Sequence, residues 1–365
     1  MATPAVTLTE MRNRWLRGAI AVVALLLILG PSLLRLAFNV WLGAIATGLS
    51  FALVALGVYL TFRVLDFPDL TIDGSLPLGA ALAATTIVAG VNPYWTLPIS
   101  FVGGAVAGTA TALIATRLRI HSLLASILVT TGLISINLRI MGRSNIPLLN
   151  TDTIFTPFAV PFRSALVRLA GEGATRYASN LLTIVLIGLL VWGIKALLDW
   201  FMRTEIGLAL RATGDNPQMV RALGVNTDGM IVLGLALSNG MVGLAGALVA
   251  QYQGFADVNM GLGLIIAGLA AVILGETFFR PTHFGTATTA VIVGMVIYRI
   301  AIAAALTLSI PFPGGRLSLD AQDVKLATAL LVLVALWLSH SQKRGESNEV
   351  ATQRYPSDFS YWRDQ

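Results

Sequence analysis

Residues 64–79 read VLDFPDLTIDGSLPLG and lie between two apolar runs, each with the composition of a membrane span. Asp66, Asp69 and Asp73, together with two prolines and two glycines, interrupt what would otherwise be a plain helical hairpin. Non-helical backbone is tolerated at membrane depth only where protein or a wet cavity satisfies its polar groups. The apolar run that follows, 75–90, has about sixteen residues, whereas a full crossing needs roughly 20. The segment therefore reads as a broken, re-entrant helix lining a cavity, with a cytoplasmic loop as the alternative.

A second stretch of this kind, YQGFADVNMGLGLIIAGLAA, occupies 252–271, where Phe255, Asp257 and Gly268 repeat Phe67, Asp69 and Gly79 with one extra residue. The first copy is entered from the inner side and the second from the outer side, which is the inverted-topology arrangement of many transporters. A carboxylate at membrane depth costs at least ~2.5 kcal/mol on insertion scales, so it requires helix N-termini, cations or water. Two readings follow. In one, Asp66, Asp69, Thr71, Asp73, Ser75 and Asp257 line a transport path; in the other, Asp69 and Asp73 cap the helix beginning near Ser75.

The rest of the chain is consistent with a membrane. Of 365 residues, 56% are hydrophobic and 12% charged, and the mean hydropathy is +0.80. A soluble surface uses about 25% charged residues. Apolar runs fall near 18–34, 40–62, 75–90, 94–116, 122–142, 179–202, 228–250, 262–278, 285–307 and 323–340. The expected fold is an all-α polytopic membrane protein of about ten transmembrane helices, with two broken or re-entrant hairpins in an inverted repeat. Residues 1–38 hold an N-terminal segment and an extra helix, 39–340 the transmembrane domain, and 341–365 a polar tail.

Lys and Arg accumulate in cytoplasmic loops. With both termini inside, fourteen of the 24 basic residues fall on the cytoplasmic side and eight at or beyond the outer ends. This orientation places 143–180, with Pro147, Pro157 and Pro161 and an amphipathic stretch from Ser164 to Ala170, outside as a cap carrying a short surface helix. The net charge of +6 then belongs to the cytoplasmic rim, and no basic run interleaved with aromatics points to nucleic acid. With no Cys and three His, disulfides and thiolate metal sites are excluded and a metal centre is not expected. Arg299 falls about 13 residues into the ninth run, ~20 Å along a helix; it pairs with a carboxylate, meets an anionic substrate group, or snorkels to the rim. Lys195 and Asp199 read as a surface i, i+4 pair.

Residues 202–230, MRTEIGLALRATGDNPQMVRALGVNTDGM, form the most informative inner segment. Asn216 before Pro217 is an N-cap with proline in the first helical position, and Gly224 is a C-terminal stop. They bound a helix of about two turns from Pro217 to Leu223, with Met219, Val220 and Leu223 on an apolar side. Such a helix suits docking into a partner's groove or lying on lipid.

Here the chain resembles the permease subunits of ABC importers in the branched-chain amino acid family. The resemblance is carried by GLALRATGDNPQMVRALGVN (207–226), LGLALSNGMVGLAGALVAQYQG (233–254), GLAAVILG (268–275) and ALVALGVYLTFRVLDFPDLTIDGSLPLGAALAA (52–84). The last block is most similar to the branch that imports tryptophan and other aromatic amino acids. The resemblance implies a type II importer-like fold in a bacterial inner membrane, a second permease copy forming a homodimer, cytoplasmic ATPase subunits that hold ATP and Mg, and an external solute-binding protein. It also implies that the segment 203–226 is the coupling segment, with Arg211, Thr213, Gly214, Asp215, Asn216, Pro217, Met219, Val220, Ala222, Leu223 and Gly224 facing the ATPase. The chain carries no P-loop motif, so the importer's hydrolysis falls to a separate subunit. A secondary transporter using Asp69, Asp73 or Asp257 for a proton or sodium ion is the rival class. An intramembrane enzyme lacks the H-E-x-x-H and G-x-S-x-G motifs.

Overall fold

Helix boundaries follow local capping chemistry. Asn92 opens the helix Pro93–Arg117 by accepting from the Tyr94 amide at 3.1 Å, and Asn226 opens the helix Thr227–Gln253 by accepting from Gly229 at 3.1 Å. Gly142 and Gly254 close the helices Ser122–Met141 and Thr227–Gln253 in the left-handed region, at φ 66° and 77°, where glycine carries no steric cost. The computed structural model describes residues 38–306, 309–312 and 315–318, with Leu326, Ala329 and Leu333 as isolated helical positions. The expected runs 18–34 and 323–340, together with the tail, lie outside the described residues apart from those three.

In chain order the helices are α1 (Phe38–Ser50), α2 (Ala52–Val58), α3 (Ile72–Val88), α4 (Pro93–Arg117), α5 (Ser122–Met141), α6 (Thr156–Ala170), α7 (Ala178–Phe201), α8 (Glu205–Asp215), α9 (Pro217–Ala222), α10 (Thr227–Gln253), α11 (Leu264–Phe279) and α12 (Phe284–Leu306). Short strands β1 (Asn145–Pro147) and β2 (Phe255–Asp257) pair antiparallel with Ile146 opposite Ala256, and β3 (Ser309–Phe312) pairs with β4 (Gly315–Ser318). Among the described residues, five helical stretches are long and apolar enough to cross a membrane: α4, α5, α7 with the 3-10 turn before it, α10 and α12. The chain is thus a mostly helical, polytopic membrane protein. Helices α3 and α11 are apolar but have only 17 and 16 residues. At 1.5 Å per residue these reach about 25 Å, short of a ~30 Å hydrocarbon core.

Two expectations are corrected, and the run 40–62 is found as a bent helix: α1 and α2 meet at Phe51 in a 41° bend, and Tyr59–Val64 continues as a π-helical turn. Thr47 and Ser50 donate back to the Gly43 and Ala46 carbonyls at 2.7 and 2.8 Å, a competition that bends helices. Helix α3 starts at Ile72 rather than near Ser75 and carries Pro77 inside its second turn, where the missing N–H leaves the Asp73 carbonyl without its helical donor. The helix of segment 143–180 runs from Thr156, with Pro157 in its first turn and Pro161 inside it, instead of from Ser164.

Helix α10 is the axis of the bundle: 67% of its apolar window is buried, against 22% for α5 at the periphery. It packs on α4, α3 and α2, while α12 packs on α11, α1 and α2. Contact between α4 and α10 is backbone to backbone, because a side chain at Gly104 or Gly108 would meet the Asn239 or Leu235 carbonyl. This is the small-residue packing that membrane helices use in place of a hydrophobic driving force. Helices α8 and α9 mark one end of the bundle, called here the α9 end; α6 and the β1–β2 pair belong to the opposite end.

Candidate functional site

The start of α3 is held in a buried knot of polar groups. Asp69, with no exposed surface, accepts from the Thr71 amide at 2.8 Å through Oδ1 and from Asn239 Nδ2 at 2.6 Å through Oδ2. Asn239 lies 12 residues into α10, about 18 Å from its first residue, and accepts from Ser75 Oγ at 2.7 Å. Thr71 and Thr111 share a hydrogen bond at 2.7 Å, and Thr130 Oγ1 donates to the Leu70 carbonyl at 2.9 Å. Asn137 Nδ2 donates to the Gly74 carbonyl at 3.2 Å, and Asn137 Oδ1 has no donor. The Leu70 carbonyl and the Asp69 and Thr71 side chains of the non-helical segment 65–71 are thereby met by side chains from α4, α5 and α10, while the Leu65 and Phe67 amides donate back to the Leu60 and Thr61 carbonyls.

Asp73 does something the capping reading did not anticipate. It leaves its own helix and accepts from the Gly263 and Ile265 amides at 3.2 and 3.1 Å, the N-terminus of α11. A carboxylate there stabilises the free amides and the positive end of the helix dipole. Asp69, in contrast, stays local, accepting from the amide of Thr71, the residue before α3 begins, rather than from an amide within the helix.

The two Asp-bearing stretches share local geometry. Asp257 Oδ1 accepts from the Asn259 amide at 2.8 Å, the same two-residue turn that Asp69 makes with Thr71. The repeated glycines are exchanged: a side chain at Gly79 would meet the Gly243 backbone of α10, and one at Gly268 would meet Val58 of α2. Each short helix thus leans on the helix that precedes the other copy.

The remaining expected residues are dispersed. Asp66 is exposed, in the left-handed region at φ 50°, a conformation that Asp tolerates better than most side chains. Asp257 is half-buried beside Asn145 at 3.4 Å. The Arg299 guanidinium lies 4.0 Å over the Phe51 ring at the bend between α1 and α2, and its buried Nε has no acceptor. No carboxylate pairs with it among the described residues, and a half-buried guanidinium stacked on Phe51 is not the snorkelling arrangement.

At the α9 end, Thr204 and Asn216 cap α8 and α9, Asn216 Oδ1 accepting from Met219 at 3.0 Å. Helix α9 ends at Ala222, one residue earlier than expected, and Gly224 follows at φ 86°. Thr213 and Gly214 are packed inward, Gly214 against the Val64 carbonyl that ends the π-helical turn. Arg211 lies 5.5 Å over the Phe284 ring. With Asp215, Tyr59 and Arg63 it borders a cavity of about 220 Å³. Of the expected apolar side, Val220 is buried, whereas Met219 and Leu223 are 53% and 74% exposed.

The profile of the branched-chain amino acid transport system permease component matches residues 40–338. The chain belongs to this permease family. The permease is 39% identical over 285 residues to the tyrosine transport system permease protein of Clostridioides difficile, covering 78% of this chain and 86% of that one. It is 30% identical over 302 residues to an uncharacterised protein of Rickettsia prowazekii, covering 82% and 97%. It is 29% identical over 237 residues to the probable branched-chain amino acid transport permease protein LivH of Methanocaldococcus jannaschii, covering 64% and 72%. No solved structure matches the chain at a significant level.

Asn239, Thr111, Thr130 and Asn137 of the permease were not singled out by sequence reasoning, although Asn239 carried a readable signal: it is an amide in the middle of an apolar run. The threonines carried none, since Thr in a membrane helix usually satisfies itself on its own backbone. The Lys195–Asp199 pair forms at 2.7 Å but is not on the surface, with side chains only 13% and 11% exposed. Thr288 Oγ1 also donates to Asp199 at 2.8 Å, so the pair joins α7 to α12. Among the described residues no three His, Asp or Glu side chains converge as a metal site would require.

Proposed function

We propose that the permease is the membrane subunit of an ATP-driven importer for an amino acid, with an aromatic one favoured by the similarity to the tyrosine permease. The observation that carries this reading is α9: a capped two-turn helix at one end of the bundle, anchored by Val220, with Met219 and Leu223 exposed. Exposed apolar side chains on a rigid, capped helix suit insertion into a groove on a partner. The partner is a cytoplasmic ATPase that binds ATP and Mg, so this chain is not itself an enzyme; an external solute-binding protein supplies the solute. Two copies of the chain form one pathway in the bacterial inner membrane. Ten spans cross it with both termini inside, 203–226 forms the inner coupling segment and 143–180 an outer cap.

The exchanged glycine contacts and the paired Asp turns support an inverted repeat of α2–α3 and α10–α11. In this reading Asp69, Thr71, Ser75 and Asp73 position the two broken helices beside the pathway, where half-helix ends supply fixed charge. Asp66, Asp257 and Arg299 are the charges left to meet solute or water along it.

The test is Leu223→Glu. Placing a charge in an apolar groove costs several kcal/mol, so the variant should insert normally but fail to copurify with the ATPase or fail to couple its hydrolysis to uptake. Normal copurification and ATP-dependent uptake would reject the docking role. Uptake driven by an ion gradient without ATP would put a secondary transporter in its place.

A further inference from the structure

At the end opposite α9, a cleft of about 600 Å³ opens between α6, the 3-10 turn Glu172–Tyr177 and the adjoining ends of α7 and α10. Its volume falls within the ~300–1,000 Å³ range of small-molecule sites. Two cations border it, Arg163 from α6 and Arg176 from the 3-10 turn. Neither makes a salt bridge among the described residues; Arg176 donates through Nε to the Gly173 carbonyl at 3.0 Å and lies 5.6 Å over the Tyr177 ring. The segment's own carboxylates, Asp152 and Glu172, do not line the cleft.

The remaining walls complement the cations. Phe155 and Tyr252 contribute aromatic surface, and Ser179 contributes a hydroxyl with no intramolecular partner among the described residues. The cleft is also held in shape from beneath. Buried Gln251 accepts from the Ile154 amide at 3.0 Å and donates to Thr96 Oγ1 at 3.0 Å, tying the 153–155 loop to α10 and α4. Guanidinium groups without a carboxylate, set beside an aromatic wall, suit a small molecule with an anionic group such as a carboxylate at one end and an apolar or aromatic body.

We infer that this cleft is a receiving site for such a carboxylate-bearing solute, with Arg163 and Arg176 holding the carboxylate and Tyr252 and Phe155 the body. The inference rests on the import reading for its role, since it places the solute on the permease before the buried knot around Asp69. It does not depend on that reading for its chemistry.

Binding to the purified permease in nanodiscs tests it, read by saturation-transfer NMR with three probes. These are L-tyrosine, 3-(4-hydroxyphenyl)propionate, which keeps the carboxylate, and tyramine, which lacks it. Tyrosine and the propionate should bind and tyramine should not. Arg163→Gln with Arg176→Gln should weaken both carboxylates by about tenfold or more, the loss of a charge-assisted contact, and Lys at both positions should restore part of that. In the assembled importer the Gln variant should raise KM for uptake while leaving the maximal rate near that of the parent. Equal binding of tyramine, no binding of either carboxylate, or unaltered binding by the Gln variant would overturn the site. So would a Gln variant that binds tyrosine normally but loses stimulation by the solute-binding protein, because the arginines would then contact that protein. Tyrosine binding with the expected arginine dependence, in a permease that performs no ATP-driven uptake, would instead leave the cleft standing and sink the import reading.

Discussion

Replacing Asn239 by leucine removes the hinge of the buried knot without changing side-chain size greatly. In the parent, Asn239 donates to Asp69 at 2.6 Å and accepts from Ser75 at 2.7 Å, with all three residues fully buried. The variant loses one hydrogen bond to a charged acceptor, about 1.5–3 kcal/mol, and one neutral bond of about 1 kcal/mol. The expected destabilisation is therefore about 2.5–4 kcal/mol, concentrated at the start of α3. Asn239→Asp should be worse at neutral pH, since it sets two carboxyl groups against each other and one of them must be held protonated. The exchange Asp69→Asn with Asn239→Asp restores a donor facing an acceptor. The side-chain amide introduced on the α3 side still accepts from the Thr71 backbone, and the carboxylate introduced on α10 still accepts from Ser75. Thermal unfolding in detergent, followed by size-exclusion chromatography or tryptophan emission, should show the exchanged pair to be more stable than Asn239→Asp alone. The coupling energy in that cycle should be about 1–3 kcal/mol. Parent-like stability for Asn239→Leu, or an exchanged pair no better than the sum of its single variants, would refute the reasoning that this knot holds the broken helix.

Asp73→Ala should destabilise the permease by about 1–3 kcal/mol by stranding the Gly263 and Ile265 amides, and Asp73→Asn, which keeps one acceptor, by less; amide hydrogen exchange at 262–266 should rise in the alanine variant. Gly104→Leu should cost about 3 kcal/mol or more, or prevent accumulation, because its side chain meets the α10 backbone; the same change at exposed Gly132, with nothing nearby, should be tolerated and serves as the control for folded yield. Single cysteines placed at 218 and 152 of this Cys-free chain should be labelled from inside and outside respectively in intact cells; external labelling at 218 or protection at 152 would overturn the orientation.

The elements of this permease were legible because they depend on neighbours close along the chain. Eight of the expected apolar runs are found as helices within a few residues of their predicted bounds. Asn216 with Pro217 and Gly224 marked the two ends of α9 to within one residue, since capping is chemistry over three or four positions. The anomaly at 64–79 was legible for the same reason: carboxylates and prolines contradict an apolar helix wherever it packs.

The partners of those carboxylates were decided only by tertiary structure. Asp69 meets Asn239, distant by 170 positions, and Asp73 meets Gly263 and Ile265, distant by 190 and 192. Nothing within a few residues of Asp73 indicates that it turns away from its own helix. The same holds for Lys195 and Asp199, whose spacing foretold the ion pair while the approach of α12 removed it from the surface. Spacing along a helix determines which side chains share a face; only the packing of one helix on another determines what that face meets.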